Sequence, residues 1–293
     1  VLPIAVPSGG PARAAPRTGD LIGTLRFYVS RPEDTLLDIA VANDIGILAI
    51  SAANPGIDPW IPGADQLILL PTAHLLPDGP RDGIVINKAE LGLYWFPKRG
   101  PIRRHAIGVG REGFDTPVGP PGPDNPLGRH ALYLGWPTYL IHGTNKPYGV
   151  GRRVSRGCIR MYPEAIERLY EEVPIGTRVT VVDQPVKAGW HEGELYLEAH
   201  PDLGQLEELE ENYSFTPNPG AVEEAALALV RRKAADEIAR VDWDLVEAEL
   251  VARRGIPVRV SRPRPPTLAA EEPLPRPVEE EGGFLGGGLR GIY

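Results

Sequence analysis

His142-Gly143-Thr144-Asn145-Lys146-Pro147-Tyr148-Gly149-Val150-Gly151-Arg152-Arg153-Val154-Ser155-Arg156-Gly157-Cys158-Ile159-Arg160-Met161 is the stretch on which the reading of this chain turns. It holds the only cysteine of 293 residues, sixteen positions after a histidine. A lone thiol cannot close an internal disulfide, so it is either inert core or a nucleophile. Arg152, Arg153, Arg156 and Arg160 bring positive charge along the same run, which favours thiolate over thiol. His142 offers a general base.

The bulk numbers narrow the classes of function. Net charge is -8 and the pI about 5.4, which disfavours nucleic acid as a partner, because phosphate binding needs a basic surface. Basic residues gather instead around Cys158, a local arrangement suited to a small anionic group such as a carboxylate. With 34 Gly and 33 Pro, the two residue types far exceed their usual joint share of roughly 12%. That excess excludes a helical bundle and favours short strands, turns and an irregular tail. No run reaches the roughly 20 apolar residues of a membrane span. The start at Val1 is read as the remnant of a processed signal peptide or as a boundary of the sequence.

The chain divides by pattern. Residues 1–22 are read as a flexible leader rich in Pro, Gly and Ala. Residues 23–73 form a small unit: a strand at Leu25–Val29, a helix capped by Asp34 with Leu36, Leu37, Ile39 and Ala40 on its apolar face, a second short helix ended at Asn54-Pro55-Gly56, and a strand at Leu67–Leu70. His74 to Arg81 reads as a Pro-rich linker. Residues 82–184 alternate short strands with one convincing helix opened by Pro163, a pattern that points to a β-sandwich-like core, mainly β with α. Residues 185–260 read as an accessory segment, mostly amphipathic helix, and 261–293 as a disordered tail.

The run quoted above is similar to the signature of the L,D-transpeptidase (YkuD-like) catalytic domain: His-Gly-Thr, then Ser-x-Gly-Cys-Ile-Arg. The likeness extends through Ile84-Val85-Ile86-Asn87, Ile107-Gly108-Val109-Gly110, Thr116-Pro117 and Gly122-Pro123-Asp124-Asn125-Pro126. Residues 23–73 resemble a LysM domain through Glu33-Asp34-Thr35-Leu36, Ala52-Ala53-Asn54-Pro55 and Ile61-Pro62-Gly63, and the nearest subgroup is the periplasmic LysM-bearing one. The resemblance implies peptidoglycan chemistry in the periplasm, with stem peptides and glycan as partners and no cofactor or metal. It implies that Cys158 attacks the L,D peptide bond of a tetrapeptide stem, forming a thioester and releasing D-alanine. His142 would take the thiol proton, the Gly143 carbonyl would orient its imidazole, and backbone N–H groups near Gly157 and Cys158 would hold the oxyanion. Arg160 would fork onto a substrate carboxylate, and Ser155 would hydrogen-bond within the pocket. Carbapenems would acylate the same sulfur. Arg152, Arg153 and Arg156 are read as a solvated rim, and the remaining histidines as lacking metal spacing.

The acceptor stays open: another stem, giving a 3-3 cross-link, the C-terminal lysine of an outer-membrane lipoprotein, or water, which would make a thiol L,D-carboxypeptidase. Relatives carry a longer stretch where this chain runs from Thr116-Pro117 straight into Val118–Gly122, so a catalytically weakened wall-binding protein is the further alternative. The enzymatic reading requires the His142 imidazole within proton-transfer reach of the Cys158 sulfur, in a cleft open to a peptide.

Overall fold

The computed structural model describes residues 19–110, 122, 124–135, 139–153, 158–218 and 222–264. By its internal contacts the chain divides into Val1–Arg262 and Pro263–Tyr293, and every named element lies in the first unit. The expected leader up to residue 18, residues 117–121 of the shortened connection and the tail from 265 lie outside the described residues.

The first elements are β1 (Leu21–Gly23), β2 (Arg26–Val29), α1 (Leu36–Ala42), α2 (Ile47–Ala53), β3 (Leu67–Leu70) and β4 (Ala73–Leu75). β2 pairs antiparallel with β3, and the two helices bury Leu36, Ile39, Ile47, Leu48 and Ile50 with Ile68 and Leu70 in one cluster. The cap of α1 is Thr35, whose hydroxyl accepts the Asp38 N–H; the neighbouring carboxylate expected there, Asp34, instead accepts from the Tyr28 hydroxyl and the Arg31 N–H, both at 2.7 Å. Asn54 ties the end of α2 to β3: its amide nitrogen donates to the carbonyls of Ile50 and Leu69, and its oxygen accepts the Leu69 N–H.

Two sequence boundaries shift. Leu21 and Ile22, expected in the leader, pair as part of β1 with Leu75 and His74 of β4, expected in a linker. The reason is burial. Leu75 and Leu76 are apolar and fully covered, so this stretch packs as a strand despite the prolines around it.

The central part contains β5 (Gly83–Asn87), β6 (Gly92–Phe96), β7 (Arg103–Ala106), β8 (Gly108–Val109), β9 (Ala131–Tyr133), β10 (Leu140–His142), β11 (Ile159–Arg160), α3 (Pro163–Glu172) and β12 (Val179–Val182). These strands form two four-stranded sheets, ordered β12-β5-β6-β7 and β8-β11-β10-β9. β6 is buried along its whole length, and strand alternation explains how. Leu93 and Trp95 face the second sheet, while Tyr94 and Phe96 face Leu76 and Val85. Ile84 and Ile86 from one sheet, Ile141 and Ile159 from the other, and Ala165, Ile166 and Leu169 of α3 share a single core. The β-rich core flanked by a helix is the expected one, and α3 starts at Pro163 as its sequence dictates.

The remainder holds β13 (Val186–His191), β14 (Glu194–Ala199), α4 (Leu203–Asn212), α5 (Glu224–Ala234), α6 (Trp243–Ala252) and β15 (Pro257–Arg259). Its helices α5 and α6 pack on a three-stranded antiparallel sheet, β13-β14-β15. α4 starts in a capping box made by Asp202 and Gln205, and inserts Leu206 and Leu209 into the core of the N-terminal helices.

Candidate active site

The site is built on two neighbouring parallel strands. β10 and β11 pair with Ile141 opposite Ile159 and His142 opposite Arg160. Ile141 and Ile159 point into the core. Strand alternation therefore sends Leu140, His142 and Arg160 to the opposite face, and Cys158, two residues before Arg160, to that same face. His142 and Cys158 stand diagonally across adjacent strands, with Cα atoms roughly 8 Å apart from strand spacing and rise. The Met161 N–H donates to the His142 carbonyl at 2.9 Å, which continues the pairing beyond Arg160.

His142 Nδ1 lies 2.5 Å from the Gly143 carbonyl oxygen. A carbonyl only accepts, so Nδ1 carries the proton and Nε2 is the basic nitrogen. Gly143 is itself held in place: its N–H donates to the His130 carbonyl at 3.1 Å. A Cβ there would meet Ile166 Cγ2 at 3.0 Å, a tight contact between this strand end and α3. A cleft of about 460 Å³ opens beside this corner, lined by Gly128, His130, Gly143, Thr144, Pro163 and Ile166 among others.

The electrostatics differ from the sequence expectation. Cys158 is fully buried and His142 nearly so. Burial pushes the Cys158 thiol up to about 11; hydrogen bonding from the Leu140 backbone, the charge of Arg160 and the Ile159 backbone pull the other way without prevailing. Burial likewise pushes His142 down to about 4, against the Gly143 carbonyl and with the help of Arg160. Thiol and imidazole are thus both neutral at rest and covered from solvent, so the expected opening to a peptide is not present at the sulfur itself, and the neighbouring cleft stops at Gly143. Among the described residues, Arg160 is the arginine whose charge acts on the sulfur. Arg152 turns away, donating through Nη2 to the Tyr213 hydroxyl at 2.6 Å, with its guanidinium over the ring. The Arg153 N–H donates to Glu210 at 2.8 Å. Arg160 is half-buried, and its Nε has no hydrogen-bond partner among the described residues.

His142, Gly143, Cys158 and Arg160 are thus brought together. Ser155, Arg156 and Gly157 lie outside the described residues. A polar cluster that the sequence did not reveal sits away from the site. The buried Lys187 ammonium is 2.7 Å from Glu90 and 3.2 Å from Glu198, and donates to the Leu75 carbonyl and the Tyr94 hydroxyl. His200 Nε2 lies 2.9 Å from Glu198 and His74 Nδ1 3.4 Å from it. His74, Glu90 and Glu198 are close enough together to hold a cation, and the ammonium among them supplies that charge. These residues are dispersed over more than a hundred positions and carry no local motif.

A family model described as the L,D-transpeptidase catalytic domain, YkuD, matches residues 81–181. The protein named "Probable L,D-transpeptidase YcfS" of Escherichia coli (strain K12) is 31% identical over 88% of this chain and 91% of its own length. "Probable L,D-transpeptidase YbiS" of the same strain is 36% identical over 61% of this chain and 70% of its own. "Probable L,D-transpeptidase ErfK/SrfK" of Salmonella typhimurium is 33% identical over 75% of this chain and 80% of its own. A shared pattern running through both sheets and the His142–Cys158 stretch places the sequence among enzymes: the chain belongs to the L,D-transpeptidase family and carries its YkuD catalytic domain.

Proposed function

We propose that Cys158 is the nucleophile of a peptidoglycan L,D-transpeptidase acting in the periplasm. The observation that carries the reading is the shared face of His142, Cys158 and Arg160 on adjacent parallel strands. The sulfur is buried, so the reaction requires that stem binding expose it. Cys158 Sγ attacks the carbonyl of the L,D peptide bond and gives its proton to His142 Nε2. The tetrahedral intermediate collapses to a thioester, the C–N bond breaks, and the proton on His142 goes to the departing D-alanine amine. The acceptor amine then gives a proton back to His142, attacks the thioester and releases the thiol. Gly143 holds the imidazole in the tautomer this needs. Backbone N–H groups near Gly157 and Cys158 hold the oxyanion, Ser155 hydrogen-bonds in the pocket, and Arg160 binds a stem carboxylate. The neutral resting pair suits the scheme, since charge develops only as the stem is attacked.

Residues 82–184 carry this chemistry in the reading. Residues 23–73 form a LysM-like glycan-binding unit, supported by the strand–helix–helix–strand order and by the Asn54 tie between α2 and β3. Residues 185–260 are an accessory segment. The acceptor is an amine on a neighbouring stem or a lysine of an outer-membrane lipoprotein. Among the described residues no single helix is long and apolar enough to cross a membrane.

The test is incubation of the chain with disaccharide-tetrapeptide, followed by product analysis. Cross-linked dimers and free D-alanine, both lost in Cys158→Ala, support the reading. Trimmed tripeptides without dimers assign a carboxypeptidase. Retained binding to purified sacculi, with wild type and Cys158→Ala equally inert, assigns a wall-binding protein.

A further inference from the structure

The loop that leads towards the nucleophile is gripped from two sides by parts of the chain outside the catalytic sheets. On one side is the corner Asp44-Ile45-Gly46 between α1 and α2. The Asp44 carboxylate accepts the Ala106 N–H at 3.1 Å and lies 2.6 Å from His105 Nδ1. The Ile45 carbonyl accepts the buried Tyr162 hydroxyl at 2.9 Å. Gly46 packs backbone to backbone on Gly151. A Cβ on Gly46 would lie 2.6 Å from Gly151 Cα, and one on Gly151, whose φ is +78°, would lie 2.2 Å from Gly46 Cα. Each of these three contacts adjoins a catalytic strand: Ala106 leads into β8, Gly151 precedes the Cys158 segment, and Tyr162 follows β11.

On the other side is the end of α4. Tyr213 binds Arg152 through its hydroxyl and its ring face, and also stacks edge-on against Trp60, 5.5 Å between ring centroids. Glu210 takes the Arg153 N–H. The grip is transmitted by backbone hydrogen bonds. The Gly151 N–H donates to the Ile107 carbonyl at 3.1 Å and the Val109 N–H to the Arg152 carbonyl at 3.0 Å. β8 pairs in turn with β11, Val109 opposite Ile159, the residue after Cys158. The path from Tyr213 to the neighbour of the sulfur is continuous.

We propose that the Asp44–Gly46 corner and the Tyr213–Glu210 clamp are positioning elements for Cys158, so that the N-terminal module, through the corner, and α4, through the clamp, both work as part of the catalytic machinery. The inference rests on Cys158 being the reacting group. Tyr213, Glu210 and Gly46 do not touch substrate; they act through the Gly149–Arg153 loop and β8. A misplacement of the order of 1 Å at a reacting atom costs up to about 100-fold in rate, so loosening this frame lowers the rate of the chemical step while leaving stem binding in place.

The test uses the full chain with Tyr213→Phe, which removes one hydroxyl and keeps the ring, and Gly46→Ala, which forces the two backbones apart. Three quantities are read: kcat and KM on a soluble tetrapeptide stem without glycan, the rate of Cys158 alkylation by iodoacetamide, and the thermal unfolding midpoint. The expected result is a kcat about tenfold or more lower in both variants, with KM within about twofold, a changed alkylation rate, and an unfolding midpoint for Tyr213→Phe within a few degrees of wild type. If Gly46→Ala does not fold, Asp44→Asn reads the corner in its place, and Tyr213→Phe reads the clamp. Wild-type kcat and alkylation rates in a folded Tyr213→Phe variant would overturn the clamp, and the same result in a folded corner variant would overturn the corner. If wild type forms no acyl-enzyme at all, the assigned reaction fails instead, and the alkylation rates still report whether the clamp positions the sulfur.

Discussion

His142 and Arg160 stand directly opposite each other on the parallel strands β10 and β11. That single register puts a base, a sulfur and a cation on one face, because Cys158 precedes Arg160 by two residues and strand side chains alternate. Among the described residues it also leaves the Arg160 Nε without a hydrogen-bond partner. Arg160→Lys keeps the charge and loses the fork. Charge-assisted hydrogen bonds contribute about 1.5–3 kcal/mol, so KM for a tetrapeptide stem rises about 10- to 100-fold in this variant. Steady-state kinetics with and without the terminal carboxylate of the stem check it; the loss disappears with the amidated stem.

The protonation state of Cys158 gives a pH signature. With the thiol pushed up to about 11, only about one molecule in a thousand is thiolate at pH 8. Thiolate increases as pH rises towards the thiol's own value, so iodoacetamide alkylation climbs about tenfold per pH unit from 7 to 10 and shows no plateau near neutrality. A plateau below pH 8 would mean a pre-formed thiolate–imidazolium pair. Stopped-time intact-mass measurements across that range distinguish the two.

Much of this site was legible in the chain. Fixed residue types at fixed spacing single out His142, Cys158 and Arg160 as candidates, and the short apolar runs of residues 82–184 signal the strands of the central sheets. Thr35 rather than Asp34 caps α1 because Asp34 is drawn to Tyr28, a contact six residues apart that no local rule reveals. β4 was hidden by prolines. Positive charge near Cys158 reads as activating in sequence, yet the Arg152 guanidinium is taken up by Tyr213, about sixty positions away. Glu194, which looks solvent-facing in sequence, binds Arg240 through both carboxylate oxygens at 2.8 Å. Long-range pairing decides such cases, and sequence spacing is silent on it.

The Lys187 cluster makes a stability prediction. Lys187→Met removes the ammonium and leaves Glu90 and Glu198 buried without it, so unfolding free energy falls by about 3–5 kcal/mol. Denaturant titration followed by tryptophan fluorescence measures it. Cys158 lies on a different sheet, so its alkylation rate in the folded variant stays at the wild-type value.

Acid acts on the fold with a definite sign. Burial pushes His74 and His142 down to about 4 from 6.5. Unfolded chains therefore bind more protons than folded ones between these values. Stability from this source is full above pH 6.5 and is lost as pH falls towards 4. Glu90 and Glu198 are held below their ordinary carboxylate value by the neighbouring Lys187 charge, against burial; their contribution is present above about 4.5 and is lost below it. Both windows act in one direction, so the thermal midpoint drops steadily from pH 7 to pH 4. A midpoint that is flat or rising over that range would contradict the burial of these groups.

The central claim is that Cys158 carries the acyl group. Intact-mass spectrometry of the chain after exposure to a carbapenem, followed by peptide mapping, tests it most directly. The expected result is one adduct of the intact antibiotic's mass on the peptide containing Cys158, absent in Cys158→Ala and slowed at least about 100-fold in His142→Ala. Unmodified wild-type protein, or an adduct that persists in Cys158→Ala, would contradict it.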